Sequence, residues 1–310
     1  MEIKERFEGA LFGLACGDAV GAPAEWKPRE WLDQNPITGM QDSVSHDLKA
    51  GQFTDDTSMA LCLAQSLIDS DGVDQLDQMR KYAQWFMQGY MGCNQKCNGI
   101  GRTTRLAIQD FLQTGNYVCT ENNPEKAGNG SIMRLAPLPM FYFQDFNGLM
   151  KATVKSTQTT HGSYESIYGA VLFSIYMHRA LLGVKKENII SPVHFLANDK
   201  NTSDGLKKII FGEYLNKDYD SIKGTGYIIE SLEAALWCFY KTDNYKDAVL
   251  MAVNQGYDAD TTAAIVGQLA GAHYGVNNIP TEWLQVLDMY DTIDGIIGTI
   301  YNKVEKRLIL

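Results

Sequence analysis

Apolar positions along the chain recur at the spacing of one face of an α-helix. Phe7, Ala10, Leu11, Leu14 and Ala15 stand at i, i+3, i+4, i+7 and i+8, which places them on one side of a helix with 3.6 residues per turn. The spacing returns at Ile167, Ala170, Val171, Ser174 and Ile175, in a stretch that is apolar on its other faces too. That predicts a central, buried helix. Tyr245, Ala248, Val249, Ala252 and Val253 repeat the pattern, as do Ile293, Ile296, Ile297, Ile300 and Val304 in a long final helix. No stretch alternates apolar and polar residues between hairpin turns, so the pattern predicts an all-α fold.

Two helical stretches carry glycine at every fourth position: Gly9, Gly13, Gly17 and Gly21, then Gly267, Gly271 and Gly275. Each glycine costs a helix interior about 1 kcal/mol relative to alanine. A run of them implies that two backbones come unusually close, and tight helix packing accounts for it. Irregular, polar or Gly/Pro-containing stretches lie at about 27–53, 115–130 and 197–226. None has the character of a flexible interdomain linker.

The stretch "GQFTDDTSMA" (51–60) sets Asp55 and Asp56 side by side after Thr54, ahead of an apolar run through Met59, Leu63 and Leu67. Thr54 or Asp55 fits a helix N-cap. In "GYDADTTAAIVG", Asp258 and Asp260 likewise precede Thr261 and a helical run. Capping stabilises a helix start by about 1 kcal/mol and explains one carboxylate in each place. The second carboxylate remains over. If the two segments converge, they offer four anionic groups with the hydroxyls of Thr54 and Thr261. Such hard oxygen donors select Mg²⁺, Mn²⁺ or Ca²⁺ over zinc or copper. Four buried negative charges require compensation. Two divalent cations, Mg²⁺ or Mn²⁺, would cancel them, as in catalytic pairs about 3.5–4 Å apart. A site shared by residues 55 and 258 would make 1–310 one domain.

Composition narrows the partners. The formal net charge is −10, which argues against a phosphate-neutralising nucleic-acid surface. No stretch reaches the ~18 consecutive apolar residues of a membrane span. Of six cysteines only Cys93 and Cys97 are close in sequence, and no zinc pattern completes them, so reduced thiols in a cytoplasmic protein are expected. The small-residue run "GALFGLACGDAVGAPA" follows the net-negative "MEIKERFE" and is broken by glycines, unlike a signal peptide.

Other stretches are ambiguous alone. Gly128, Asn129, Gly130 and Ser131 stand directly before an apolar helical run, and can be read as an ordinary turn or as a phosphate cradle. They are not a P-loop, because no Gly-Lys-Ser/Thr follows. Gly99 and Gly101 in "GIGRTTRLAI" form a second glycine-then-helix entry. His161 sits at a predicted helix start, and Glu25 in a predicted loop beside Trp26. His46-Asp47 lies in a loop without the further His and Asp helices of a metal phosphohydrolase, and is set aside.

Taken together, "GALFGLACGDAVGAPAEW", "GQFTDDTSMAL", "GIGRTTRLAI", "GNGSIMRLAPL", "TTHGS" and "GYDADTTAAIVGQLAGAHYG" resemble the ADP-ribosylglycohydrolase family, in order and spacing over nearly the whole chain. The resemblance implies a compact, orthogonal multi-helix domain around a metal-binding cleft, with two Mg²⁺ or Mn²⁺ ions. It implies cleavage of the glycosidic bond between ADP-ribose and an acceptor, arginine by default, with an ADP-ribosylated protein or small molecule as partner. By the same resemblance Thr54, Asp55, Asp56, Asp258, Asp260 and Thr261 hold the metals. Glu25, Asp55, Asp56 and Asp258 belong to the reaction centre, and Gly128 to Ser131, His161, Gly99 and Gly101 to the ADP-ribose cleft. One departure stands out: many bacterial members carry Asp-Ile-Gly where this chain has Gly99-Ile100-Gly101. Two-metal phosphoester hydrolysis and non-catalytic ADP-ribose binding are the alternatives.

Overall fold

The structure, a computed structural model, describes residues 1–309. Its longer helices are α1 (Ile3–Gly21), α2 (Asp55–Ser70), α3 (Gln75–Gln88), α4 (Arg102–Thr114), α5 (Phe146–Gln158), α6 (Tyr164–Leu181), α7 (Ile228–Lys241), α8 (Tyr245–Val253), α9 (Ala259–Tyr274) and α10 (Tyr290–Ile309). Among the described residues the only β-type pairings are two isolated bridges, Ser43 with Leu48 and Gly128 with Tyr227. The fold is all-helical.

The periodic positions face inward as the pattern predicts. Phe7, Leu11 and Leu14 of α1 and Ile293, Ile297 and Ile300 of α10 are fully buried. Tyr301 of α10 packs edge-on against Phe7, with ring centroids 6.0 Å apart. Helix α6 is buried around nearly its whole circumference, from Ala170 and Leu172 to Tyr176 and Met177, which is what its all-round apolar character requires.

The glycine runs of α1 and α9 lie against each other, antiparallel. A Cβ added at Gly9 would stand 2.1 Å from the carbonyl oxygen of Gly271, one at Gly13 would stand 2.4 Å from that of Gly267, and one at Gly17 would stand 2.3 Å from that of Ala263. No side chain fits between these backbones. At the far end of the pair, a Cβ at Gly21 would stand 2.4 Å from the Cα of Asp260. The C-terminal end of α1 is thereby brought onto the first turn of α9. At the opposite end, Arg6 donates to the carbonyls of Ala180, Ala272 and His273 at 3.1, 3.0 and 2.9 Å. It satisfies carbonyls that the ends of α6 and α9 leave open.

Two local expectations change. Gly128 to Ser131 do not open a helix: Asn129–Ser131 forms a single 3-10 turn, and the following Pro137–Phe141 helix has only five residues. The apolar run is folded by prolines into short pieces, so this segment presents a turn rather than a long helix terminus. Helix α6 begins at Tyr164, where Ser163 Oγ accepts from the Ser166 amide at 3.1 Å. His161 therefore stands in the turn ahead of it.

Candidate active site

Neither acidic helix start uses its own side chain as a cap. Thr54 occupies the N-cap position of α2 and Asp258 that of α9, yet neither side chain makes a cap hydrogen bond. The Thr54 hydroxyl lies instead 2.8 Å from Asp18 Oδ1, 3.1 Å from Asp56 Oδ2 and 3.3 Å from Asp260 Oδ2. Asp258 Oδ2 accepts from Asn129 Nδ2 at 2.7 Å. The two motifs, about 200 residues apart in sequence, meet at one point.

Asp18, which sequence reading missed, does the capping from another helix. Its carboxylate accepts from the amide and hydroxyl of Thr54 at 2.9 and 2.8 Å, and from the amide and hydroxyl of Thr57 at 2.9 and 2.7 Å. These bonds satisfy open donors at the start of α2 and leave Asp55 and Asp56 free of that duty. The signal in the sequence was an acid at position 18 inside the apolar, glycine-marked run; the structure buries it fully. A carboxylate so occupied orients its neighbours; its own lone pairs are committed.

The surroundings suit cations. Asp56 Oδ1 is buried and has no hydrogen-bond partner. The Thr54 hydroxyl has one hydrogen for three nearby carboxylate oxygens, so two of them face an oxygen with nothing between. Burial, then the charges of Glu25, Asp18 and Asp258, raises the Asp55 carboxyl well above its ordinary range. Burial, then Asp18, Asp55 and Asp258, does the same to Asp56, as burial followed by Glu25, Asp56, Asp258 and Asp18 does to Asp260. Burial lifts Asp258 to about 6 against the opposing hydrogen bond from Asn129. Positive charge placed here relieves all four.

Oxygens of Asp18, Asp56 and Asp260 lie within 4.8 Å of one another, and so do ligand atoms of Glu25, His46 and Asp260. Asp260 belongs to both groups. His46, set aside on sequence, is hydrogen-bonded through Nε2 to Glu25 Oε2, which raises its pKa first of all causes. Only the tertiary fold could reveal it, because its loop has no motif. Glu25 itself is buried.

A cleft of about 560 Å³ opens above these carboxylates, and Glu25, Asp55, Asp258, Asp260 and Thr261 line it. Gly99 and Gly101 at the start of α4 form one wall, and Gly128, Asn129, Gly130 and His161 another. Thr54 and Asp56 lie beneath its floor, fully buried. Ser131 turns away, its hydroxyl 3.4 Å from the Ser166 carbonyl. Trp26, Arg102 and Tyr227, none singled out on sequence, also border the opening.

A model of the family described as ADP-ribosylglycohydrolase matches residues 1–308. The chain belongs to the ADP-ribosylglycohydrolase family. Among relatives, the ADP-ribosylarginine hydrolase Tri1 of Pseudomonas putida is 37% identical over 96% of this chain and 78% of its own length. The ADP-ribosyl-[dinitrogen reductase] glycohydrolase of Rhodospirillum rubrum is 28% identical over 93% of this chain and 92% of its own. A solved structure titled ADP-ribosylglycohydrolase-related protein complex superposes with a TM-score of 0.85 at 33% identity, covering 97% of this chain and 99% of that one.

Within this member of the family, the departure at Gly99 has a local meaning. Gly99 has φ +83°, and a Cβ there would stand 2.5 Å from Asp55 Oδ1. In this backbone, position 99 has no room for a side chain while Asp55 stays where it is. All six cysteines are free thiols, and no helix of the described residues is long and apolar enough to cross a membrane.

Proposed function

We propose that the protein is a divalent-metal-dependent hydrolase that cleaves the glycosidic bond between ADP-ribose and an acceptor, with ADP-ribosylated arginine as the acceptor. The carrying observation is the meeting of Thr54 with Asp260, 3.3 Å apart, beneath a cleft with glycine-rich walls. The arginine assignment is supported by the Tri1 relative, named an ADP-ribosylarginine hydrolase. Thr54, Asp55, Asp56, Asp258, Asp260 and Thr261 would hold two cations, Mg²⁺ or Mn²⁺. Such ions would supply positive charge for ribose hydroxyls and a water of lowered pKa.

The chain's own groups do the rest. Asp55, on the cleft wall, takes the proton of the attacking water as general base, with Asp56 below it. Departure of the acceptor leaves positive charge on the ribose, which the surrounding carboxylates stabilise. Glu25, hydrogen-bonded to His46, would in its protonated form give a proton to the leaving acceptor and be reprotonated from solvent. Asn129 holds Asp258 in place through its side chain. Its own amide donates to the Gly226 carbonyl at 3.1 Å, so within the turn the amides of Gly128 and Gly130 are the ones that would meet the diphosphate. Two-carboxylate glycosidases work without a metal, so metal dependence separates the mechanisms.

The test is incubation with ADP-ribosyl-arginine and ADP-ribosyl-serine proteins, with and without chelator. Free ADP-ribose with its diphosphate intact, released from arginine and lost on chelation, is the expected result. AMP as product would point to phosphoester hydrolysis instead. Tight ADP-ribose binding without turnover of any acceptor would make the protein a binder. Asp260→Ala is expected to abolish turnover in a protein that still folds, and retained turnover in that variant would refute the shared site.

A further inference from the structure

His161 is buried with only 2% exposure, and its two ring nitrogens face different worlds. A Cβ added at Gly128 would stand 3.1 Å from Nε2, and one at Gly130 2.8 Å from Cε1. The Nε2 edge thus lies beneath the glycine turn, at the cleft wall. Nδ1 points away, 2.7 Å from the hydroxyl of Thr160. That hydroxyl already accepts a hydrogen from Arg134 Nη2 at 2.6 Å.

Hydrogen counting then selects a tautomer. The Thr160 hydroxyl owns one hydrogen, and among the described residues its partners are Arg134 and His161 alone. Arg134 can only donate. If Nδ1 also donated, the Thr160 hydrogen would be left without an acceptor in a buried place, which is unfavourable. Thr160 therefore donates to Nδ1, and the imidazole proton sits on Nε2.

Arg134 is held by neutral groups alone. It is 1% exposed, stacks over the Tyr82 ring at 4.6 Å, and reaches Met59 Sδ at 3.6 Å. No carboxylate pairs with it among the described residues. An unpaired buried cation is costly. Burial first, and then the Arg134 charge, lowers the His161 pKa to about 3, so the ring stays neutral.

We propose that Arg134 is a positioning residue that, through Thr160, locks His161 as the neutral Nε2–H tautomer and so gives the cleft a fixed hydrogen-bond donor for an oxygen of the ligand beneath the glycine turn. The tautomer stands on the hydrogen bonds alone; the ligand's identity rests on the reading of the cleft as an ADP-ribose site.

Two-bond ¹H–¹⁵N correlation spectra of ¹⁵N-histidine-labelled, Mg²⁺-loaded protein test it, with His161→Gln assigning the signal among five histidines. The wild type is expected to show the Nε2–H form. In Thr160→Val, similar in shape but lacking the hydroxyl, His161 is expected to spread over both tautomers. ADP-ribose affinity should fall about tenfold, the scale of one hydrogen bond, and Thr160→Ser should restore both. Arg134→Met should reproduce the spectral change, and Thr160→Val keeps the test open should that variant fail to fold. An Nδ1–H wild type overturns the proposal, and so does a Thr160→Val protein with unchanged tautomer and affinity. The expected spectra in a protein that binds no ADP-ribose would uphold the lock and overturn the ADP-ribose reading.

Discussion

Asp18 and Asp56 are both buried carboxylates within a few ångströms of Asp260, yet their hydrogen bonds give them opposite roles. Asp18 has its oxygens filled by Thr54 and Thr57, whereas Asp56 Oδ1 has no partner. Asp18→Asn would turn an amide NH₂ toward hydrogen-bond donors, so it is expected to lower the stability of the metal-free protein by about 2–4 kcal/mol and weaken metal binding with it. Asp56→Asn removes a buried charge among like charges. It should leave metal-free stability unchanged or higher while reducing Mn²⁺ affinity at least about a hundredfold, roughly one lost charged ligand. Thermal denaturation in chelator and calorimetric titration with Mn²⁺ separate the two. Gly99→Asp, which would recreate the residue of many bacterial relatives, is expected to lower turnover at least about tenfold, because the new side chain meets Asp55 Oδ1 in a left-handed backbone. Turnover equal to or above wild type would show that Asp55 moves aside freely.

At the level of elements, the glycine seam between α1 and α9 makes the site possible. It lets the end of α1, which carries Asp18 and leads to Glu25, sit directly on the first turn of α9, where Asp260 begins. A methyl added along the seam meets carbonyl oxygens at 1.8–2.4 Å, so the helices must part. Gly13→Ala, in mid-seam, is expected to cost about 1–3 kcal/mol of stability. Metal affinity should be reduced less in Gly13→Ala than in Gly21→Ala, where the added methyl faces the Asp260 backbone itself. Denaturant midpoints and metal titrations on both variants check this ordering. The inward faces of α8 and α10 were legible in sequence because their burial stripes follow the 3.6-residue period, and α6 because it is apolar all round. Helix α1 is buried on every face from Gly9 onward, which its period alone does not say. Gly128 to Ser131 lead into no long helix because Pro137 and Pro139, both visible in the sequence, divide the apolar run after the turn; the helical period of that run outweighed the prolines in the sequence reading.

For the whole molecule, the acidic centre sets how stability depends on pH. The folded pKa of Asp258 lies at about 6, above the ordinary 3.8, and those of Asp55, Asp56 and Asp260 are raised further by burial and mutual repulsion. For an acid with a raised folded pKa, the stabilising contribution is complete below the unfolded value and is lost as pH rises through the folded one. For Asp258 that window runs from about pH 4 to about pH 6. The metal-free protein is therefore expected to lose stability as pH rises from mildly acidic toward neutral. With saturating Mg²⁺ the cation takes the proton's place, so melting temperature at pH 7–8 should rise and its decline with pH should flatten. Melting curves across pH in chelator and in Mg²⁺ measure both, and a metal-free protein most stable at pH 8 would contradict the buried cluster.

The sequence by itself determined the helical class, the close approach of glycine-bearing helices, and the paired acids at two helix starts. Each of these is a local statement about period, steric bulk or adjacent charge. Tertiary structure alone decided that Thr54 and Asp260 meet, that Asp18 supplies the cap for α2, and that His46 reaches Glu25. Those contacts join residues far apart in the chain or in loops without a motif, so no local pattern could encode them. They arise because two backbones with no side chains between them bring the ends of α1 and α9 together, with the start of α2 held against that junction.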